Sequence, residues 1–175
     1  MVHPAIWPGD AISATLQPIA TWWTALHVLQ VPLFALLGLA VFLLVQNLQL
    51  WAATISRYSI MLFIVIYPAF DGAVGISSGV LCQTLPAAQL ASIEGALQEI
   101  FWGPVTRMMA LVGSASWFIA LISAAFALHK SGASNVATIF LALSGLMLAV
   151  SHVRPFGPLA CLSFLVGTML VEFKR

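Results

Sequence analysis

Charge is what this sequence has least of: six Lys and Arg and five Asp and Glu in 175 residues, or 6%, against 62% hydrophobic. A soluble domain carries about 25% charged residues, so no ordinary water-facing surface can be built from this chain and its solvent has to be lipid. The formal net charge of +1 excludes the basic field that nucleic acid requires, and no block of like charge is there to act as a tail. Cysteine is scarce as well. Cys82 and Cys161 show neither CxxC nor Cys/His spacing, which argues against zinc or a redox pair. The opening residues include His3, Pro4, Trp7, Pro8 and Asp10 but no Lys or Arg. A cleavable signal needs a basic start, so the first apolar run is expected to be retained.

Long apolar runs are what the sequence does have. In lipid every backbone polar group needs a partner within the chain, which leaves helices of about 20 residues or closed-barrel strands. The runs are too long and too uniformly apolar for strands. The reading is an all-α, polytopic transmembrane helical bundle, one domain over 1–175, with five spans at about 19–45, 56–82, 104–129, 134–152 and 156–171. Trp22 and Trp23 are placed as the outer aromatic anchor of the first span, and Arg57 with Tyr58 anchors the second. Leu90, Ile93, Leu97, Ile100 and Phe101 recur at helical spacing, which predicts an interfacial helix at about 89–101. Gly103-Pro104 breaks the chain before the third span, and Ser134 or Asn135 supplies an N-cap for the fourth. Arg57, Lys130, Lys174 and Arg175 fall on one side and Arg154 on the other. The positive-inside rule then sets the N-terminus outside and the C-terminus in the cytoplasm, in a membrane of the bacterial cytoplasmic type.

An ionisable group at the bilayer centre costs at least about 2.5 kcal/mol and normally faces the bundle interior. Asp71 is the main case. It follows Pro68, which removes a helical hydrogen bond, and precedes Gly72, Gly75 and Gly79, so a kink or short unwound stretch is expected beside the carboxylate. The same glycines suit a small-residue packing face. Arg107 lies a short way into the third span and either snorkels outward or pairs with Asp71. His27 and Gln30 share one face of the first span, where a structural hydrogen bond is the plain role of the histidine. His152 closes the fourth span at a helix C-terminus, a natural place for an imidazole cap. His27, Gln30, Asp71, Arg107 and His152 are therefore the candidate site residues.

Three uses of such a site compete. The first is binding or translocation of a small polar solute, proton or ion through an outer-facing cavity centred on Asp71, by analogy with interrupted helices in transporters. The second is a redox subunit holding haem b between His27 and His152. The third is a non-catalytic subunit or assembly partner of a larger membrane complex, or a homo-oligomer, packed laterally through small residues. An enzyme is the least supported: no HExxH motif occurs and no second carboxylate lies near Asp71 in sequence. Ser77 and Ser78 read as helix-packing hydroxyls.

Overall fold

The computed structural model describes Pro4 and residues 6–153 and 155–172. Arg154, Lys174 and Arg175, on which the expected orientation partly depends, lie outside the described residues, as does His3. Among the described residues there is no strand. Helix α1 (Ile12–Leu16) passes through one 3-10 turn, Gln17–Ile19, into α2 (Ala20–Val45). Helix α3 (Trp51–Asp71) continues through a π turn, Gly72–Ile76, into α4 (Ser77–Thr84). Two short helices follow, α5 (Ala87–Ser92) and α6 (Glu94–Trp102), then α7 (Pro104–Lys130), α8 (Asn135–Val150) and α9 (Phe156–Glu172).

Three helical stretches are long and apolar enough to cross a membrane: Ile12–Val45, Trp51–Thr84 and Glu94–Lys130, of 34, 34 and 37 residues. At 1.5 Å per residue each exceeds the hydrocarbon thickness of about 30 Å. Helices α8 and α9 are apolar but have only 16 and 17 residues, or about 24 to 26 Å. Length and composition thus carry three of the five expected spans. Large apolar side chains stand exposed at Val28, Leu29, Leu33, Leu36, Leu39 and Leu43 along α2, a stripe that water would penalise and acyl chains accept.

Two expected boundaries shift for identifiable reasons. The second helix begins at Trp51 rather than near Ser56. Arg57 does not mark its start. Its guanidinium donates to the carbonyls of Val45, Gln46 and Leu48 at 3.0–3.3 Å and to Thr54 Oγ1 at 2.9 Å, which satisfies carbonyls left open at the end of α2. The single helix expected at about 89–101 is two helices, divided at Ile93, where ψ rises to 11°. Its apolar side also faces protein: Leu90, Leu97 and Phe101 are buried in a cluster with Ile12, Leu16, Ala20, Trp23 and Cys82. The N-cap expected for the fourth helix is present, with Ser134 Oγ accepting from the Ala137 N–H at 3.2 Å.

By contact the chain divides into two compact units, one from 1–35 and 66–111, the other from 36–65 and 112–175. Helices α2, α3 and α7 contribute to both. The first unit holds His27, Gln30, Asp71 and Arg107; the second holds His152.

Candidate functional site

The site grows out of the π turn. Pro68 leaves one carbonyl of α3 without its donor, and Gly72 and Gly75 lower the cost of departing from α geometry. The chain answers with a π turn at Gly72–Ile76 directly after Asp71, so it stays helical where an unwound stretch is one expectation. Such turns widen the helix by one residue and redirect its carbonyls. Here the Gly75 carbonyl accepts the indole N–H of Trp23 at 2.8 Å. Ser78 Oγ donates to the Val74 carbonyl and, at 3.4 Å, to that of Gly75.

Opposite this turn lies α2, running antiparallel. His27 Nδ1 sits 2.8 Å from the Trp23 carbonyl. A carbonyl only accepts, so Nδ1 carries the hydrogen and donates. The other ring nitrogen, Nε2, faces Asp71 Oδ1 at 3.9 Å, an ion-pair distance longer than a hydrogen bond. Four residues therefore form a closed circuit: Asp71 to His27, His27 to the Trp23 backbone, the Trp23 indole to Gly75, and Gly75 back along the π turn to Asp71. Two of the four are one turn apart on α2; of the other two, Asp71 directly precedes the widened turn and Gly75 lies within it.

Burial is nearly complete. Asp71 is 2% exposed, His27 3% and Trp23 2%. Asp71 Oδ2 is buried and accepts no hydrogen bond from the described residues, and the same holds for Gln30 Oε1 on α2. The histidine packs directly against the glycine: a Cβ at Gly75 would overlap Cδ2 and Cγ of His27. At Gly79 a Cβ would overlap the Thr24 hydroxyl, and Gln83 Nε2 donates to that hydroxyl at 2.5 Å and to the Ala20 carbonyl at 3.0 Å. Glycines 75 and 79 thus serve the close helix packing read from the sequence, and at Gly75 that packing brings His27 to Asp71.

The structure separates the other candidates. Arg107 is exposed on α7, and among the described residues the basic side chain within 4.0 Å of Asp71 is His27. His152 is half-buried in the second unit, with its carbonyl against Gly157. Nε2 of His27, the nitrogen left for a haem iron, faces a carboxylate. Among the described residues no three His, Cys, Asp or Glu side chains are grouped to hold a metal ion.

Sequence reasoning missed Trp23. Its place beside Trp22 reads as an interfacial anchor, whereas the ring is buried and its N–H is consumed by a backbone acceptor. The run Gly75-Ile76-Ser77-Ser78-Gly79 also spells GxSxG. A nucleophile elbow needs a strand-to-helix turn, and this run is wholly helical, with Ser77, the residue in the nucleophile position, exposed on its surface.

A second polar contact in the same unit was likewise unforeseen. Glu94, the first residue of α6, accepts the backbone N–H groups of Ile12 at 2.7 Å and Ser13 at 3.1 Å. Helix α1 has no side-chain cap of its own, so a carboxylate 81 residues away supplies one. Gln98, one turn further along α6, donates to the Asp10 carbonyl at 2.6 Å. A cleft of about 450 Å³ opens near Ala96, Glu99, Gly103 and Thr106 and does not include Asp71.

No protein-family model, curated protein or solved structure matches the chain. The class rests on the helices alone: a helical protein whose three long apolar stretches are compatible with a membrane.

Proposed function

We propose that this chain binds or passes a small polar solute, proton or ion at a membrane-embedded site built from Asp71 and His27, with Gln30 beside them. One observation carries the reading. A carboxylate 2% exposed is paired at 3.9 Å with a histidine 3% exposed, and one carboxylate oxygen is left without a donor. Asp71 lies 13 residues from the Thr84 end of its helical stretch, about 20 Å along the axis, too far for its short side chain to reach headgroup water. Buried ionisable groups in membrane helices mark solute and proton routes more often than packing, and interrupted helices at mid-depth are where transporters place their sites.

In this reading α8 and α9 cross the bilayer as short fourth and fifth spans. The N-terminus is outside, the C-terminus cytoplasmic and the membrane bacterial. Bilayer lipid covers the exposed stripes, and a second copy of the chain is a fitting lateral partner. Arg107 takes the snorkelling role open to it at the sequence level.

The test uses the full chain reconstituted in liposomes. Flux of protons, alkali cations and small polar solutes is followed with entrapped indicators. The reading expects a flux above empty vesicles that Asp71→Asn reduces at least about tenfold while helix content and insertion stay unchanged. An inserted, folded Asp71→Asn protein with undiminished flux and binding would remove the site.

A further inference from the structure

We infer that the ligand of the Asp71–His27 site is a single proton, held by the buried pair on either Nε2 of His27 or the carboxylate of Asp71. This rests on the proposed function and narrows its ligand to one class.

The geometry limits what can lie between the two groups. Nδ1 of His27 is committed as a donor to the Trp23 carbonyl, which fixes Nε2 as the nitrogen turned to Asp71. Neutral imidazole then presents a lone pair toward the carboxylate at 3.9 Å, an arrangement with no attraction of its own until one of the two groups takes up a proton. A transition-metal ion needs more ligands than this pair gives, and no third His, Cys, Asp or Glu joins them among the described residues; an alkali cation, which takes carbonyl oxygens, is the competitor that the salt series below separates from the proton. The His27 ring is held in place by its close packing against Gly75 and by the Trp23 carbonyl at Nδ1.

Charge makes the same selection. With no added proton the pair is an imidazole and a carboxylate, net −1. With two it is an imidazolium and a carboxylic acid, net +1. The one-proton state is neutral whether written as imidazole with carboxylic acid or imidazolium with carboxylate, and in a site this buried the neutral state is the least penalised. Tyr67, buried one turn before Asp71 on α3, is a further titratable group on that helix. On α2 the neighbours are Trp23 and Gln30, which do not titrate, and Arg107 of α7 is exposed. Gain and loss of the proton at Nε2 and Oδ1 is a binding reaction with no covalent or redox partner to supply.

The experiment is nitrogen-15 NMR of the full chain, histidine-labelled, in lipid nanodiscs over a pH series, in sodium, potassium and choline chloride in turn. His27→Asn assigns the His27 signals, since its amide can retain the donor to the Trp23 carbonyl. The expected result is that Nδ1 keeps its hydrogen throughout. The Nε2 signal moves with pH, identically in the three salts, and Asp71→Asn weakens proton binding at Nε2 about tenfold or more.

An Nε2 signal displaced by sodium or potassium at constant pH overturns the proton assignment but leaves the proposed site standing with a metal cation as its ligand. Nε2 titrating alike in the unaltered chain and in folded Asp71→Asn overturns a proton held by the pair. If Asp71→Asn does not fold, the salt series on the unaltered chain still decides between proton and cation. Loss of the site itself shows separately, as undiminished liposome flux in the folded variant.

Discussion

In the first unit, the buried contact between α2 and the π turn runs through donors and acceptors: His27 to Asp71, His27 to the Trp23 carbonyl, and the Trp23 indole to Gly75. In the second unit the interior around α7 is made of small residues and rings. Ala120, Ala124, Ala125 and Ala127 are buried, and Trp117 lies 4.9 Å from Phe63 and 5.9 Å from Phe164 between centroids. Each unit buries one tryptophan against a backbone acceptor, yet the bonds differ: 2.8 Å to Gly75 for Trp23, 3.3 Å to Ser144 for Trp117. Polar atoms left over in the second unit are hydroxyls, Ser56, Ser144 and Thr168, which cost less to bury than a charge. The first unit instead buries a carboxylate, for which van der Waals packing alone gives no compensation. The proposed function, which needs a charge or a proton inside the protein, would account for that difference.

The contrast can be broken at its glycines, where the largest effect is expected. Gly75→Ala drives a methyl into the His27 ring, whose Nδ1 is held by the Trp23 carbonyl, and should destabilise the fold by about 3 kcal/mol. Gly167→Ala meets Leu141 Cγ at 2.9 Å and Cδ2 at 3.0 Å, atoms of a flexible side chain, and the Ala137 carbonyl at 3.1 Å. It should cost about 1.5 kcal/mol. Reversible unfolding in mixed detergent micelles measures both, and equal losses would erase the distinction between the units.

The two indoles sharpen it further. Trp23→Phe removes the shorter bond and leaves the Gly75 carbonyl its long contact with Ser78 Oγ, for an expected loss of about 1.5 kcal/mol, while Trp117→Phe should lose about 0.5 kcal/mol. Glu94→Ala uncaps α1 at a cost of about 1 kcal/mol, with faster amide exchange confined to Ile12 and Ser13. Smallest is Arg107→Gln, within about 0.5 kcal/mol of zero and without effect on flux. A large effect there would restore Arg107 as the partner of Asp71.

Much of this fold is legible in sequence, because lipid leaves the backbone few options. The long helices from Ala20, Trp51 and Pro104 follow from apolar length, and the Ser134 cap follows from side-chain chemistry. Asp71 stands out as a charge in an apolar run, and Pro68 with Gly72 and Gly75 marks where its helix departs from α geometry. What stays hidden is rotation. Whether Arg107 or His27 reaches Asp71 depends on which way each helix turns, and spacing within one helix says nothing about its neighbour. Trp23 illustrates the same limit, since an indole near a helix end fits a headgroup belt and a buried backbone acceptor equally well. Glu94 reads as one more residue of a polar interval, and its partners at Ile12 and Ser13 are backbone N–H groups that carry no sequence signature at all.

A double-mutant cycle on unfolding free energy, with His27→Asn, Asp71→Asn and both together, bears most directly on the claim that His27 and Asp71 form one buried site. The account expects a coupling of about 1 to 3 kcal/mol for this pair and about zero for the matching cycle of Asp71→Asn with Arg107→Gln. Additive losses at His27 and Asp71, with coupling found at Arg107 instead, would contradict it.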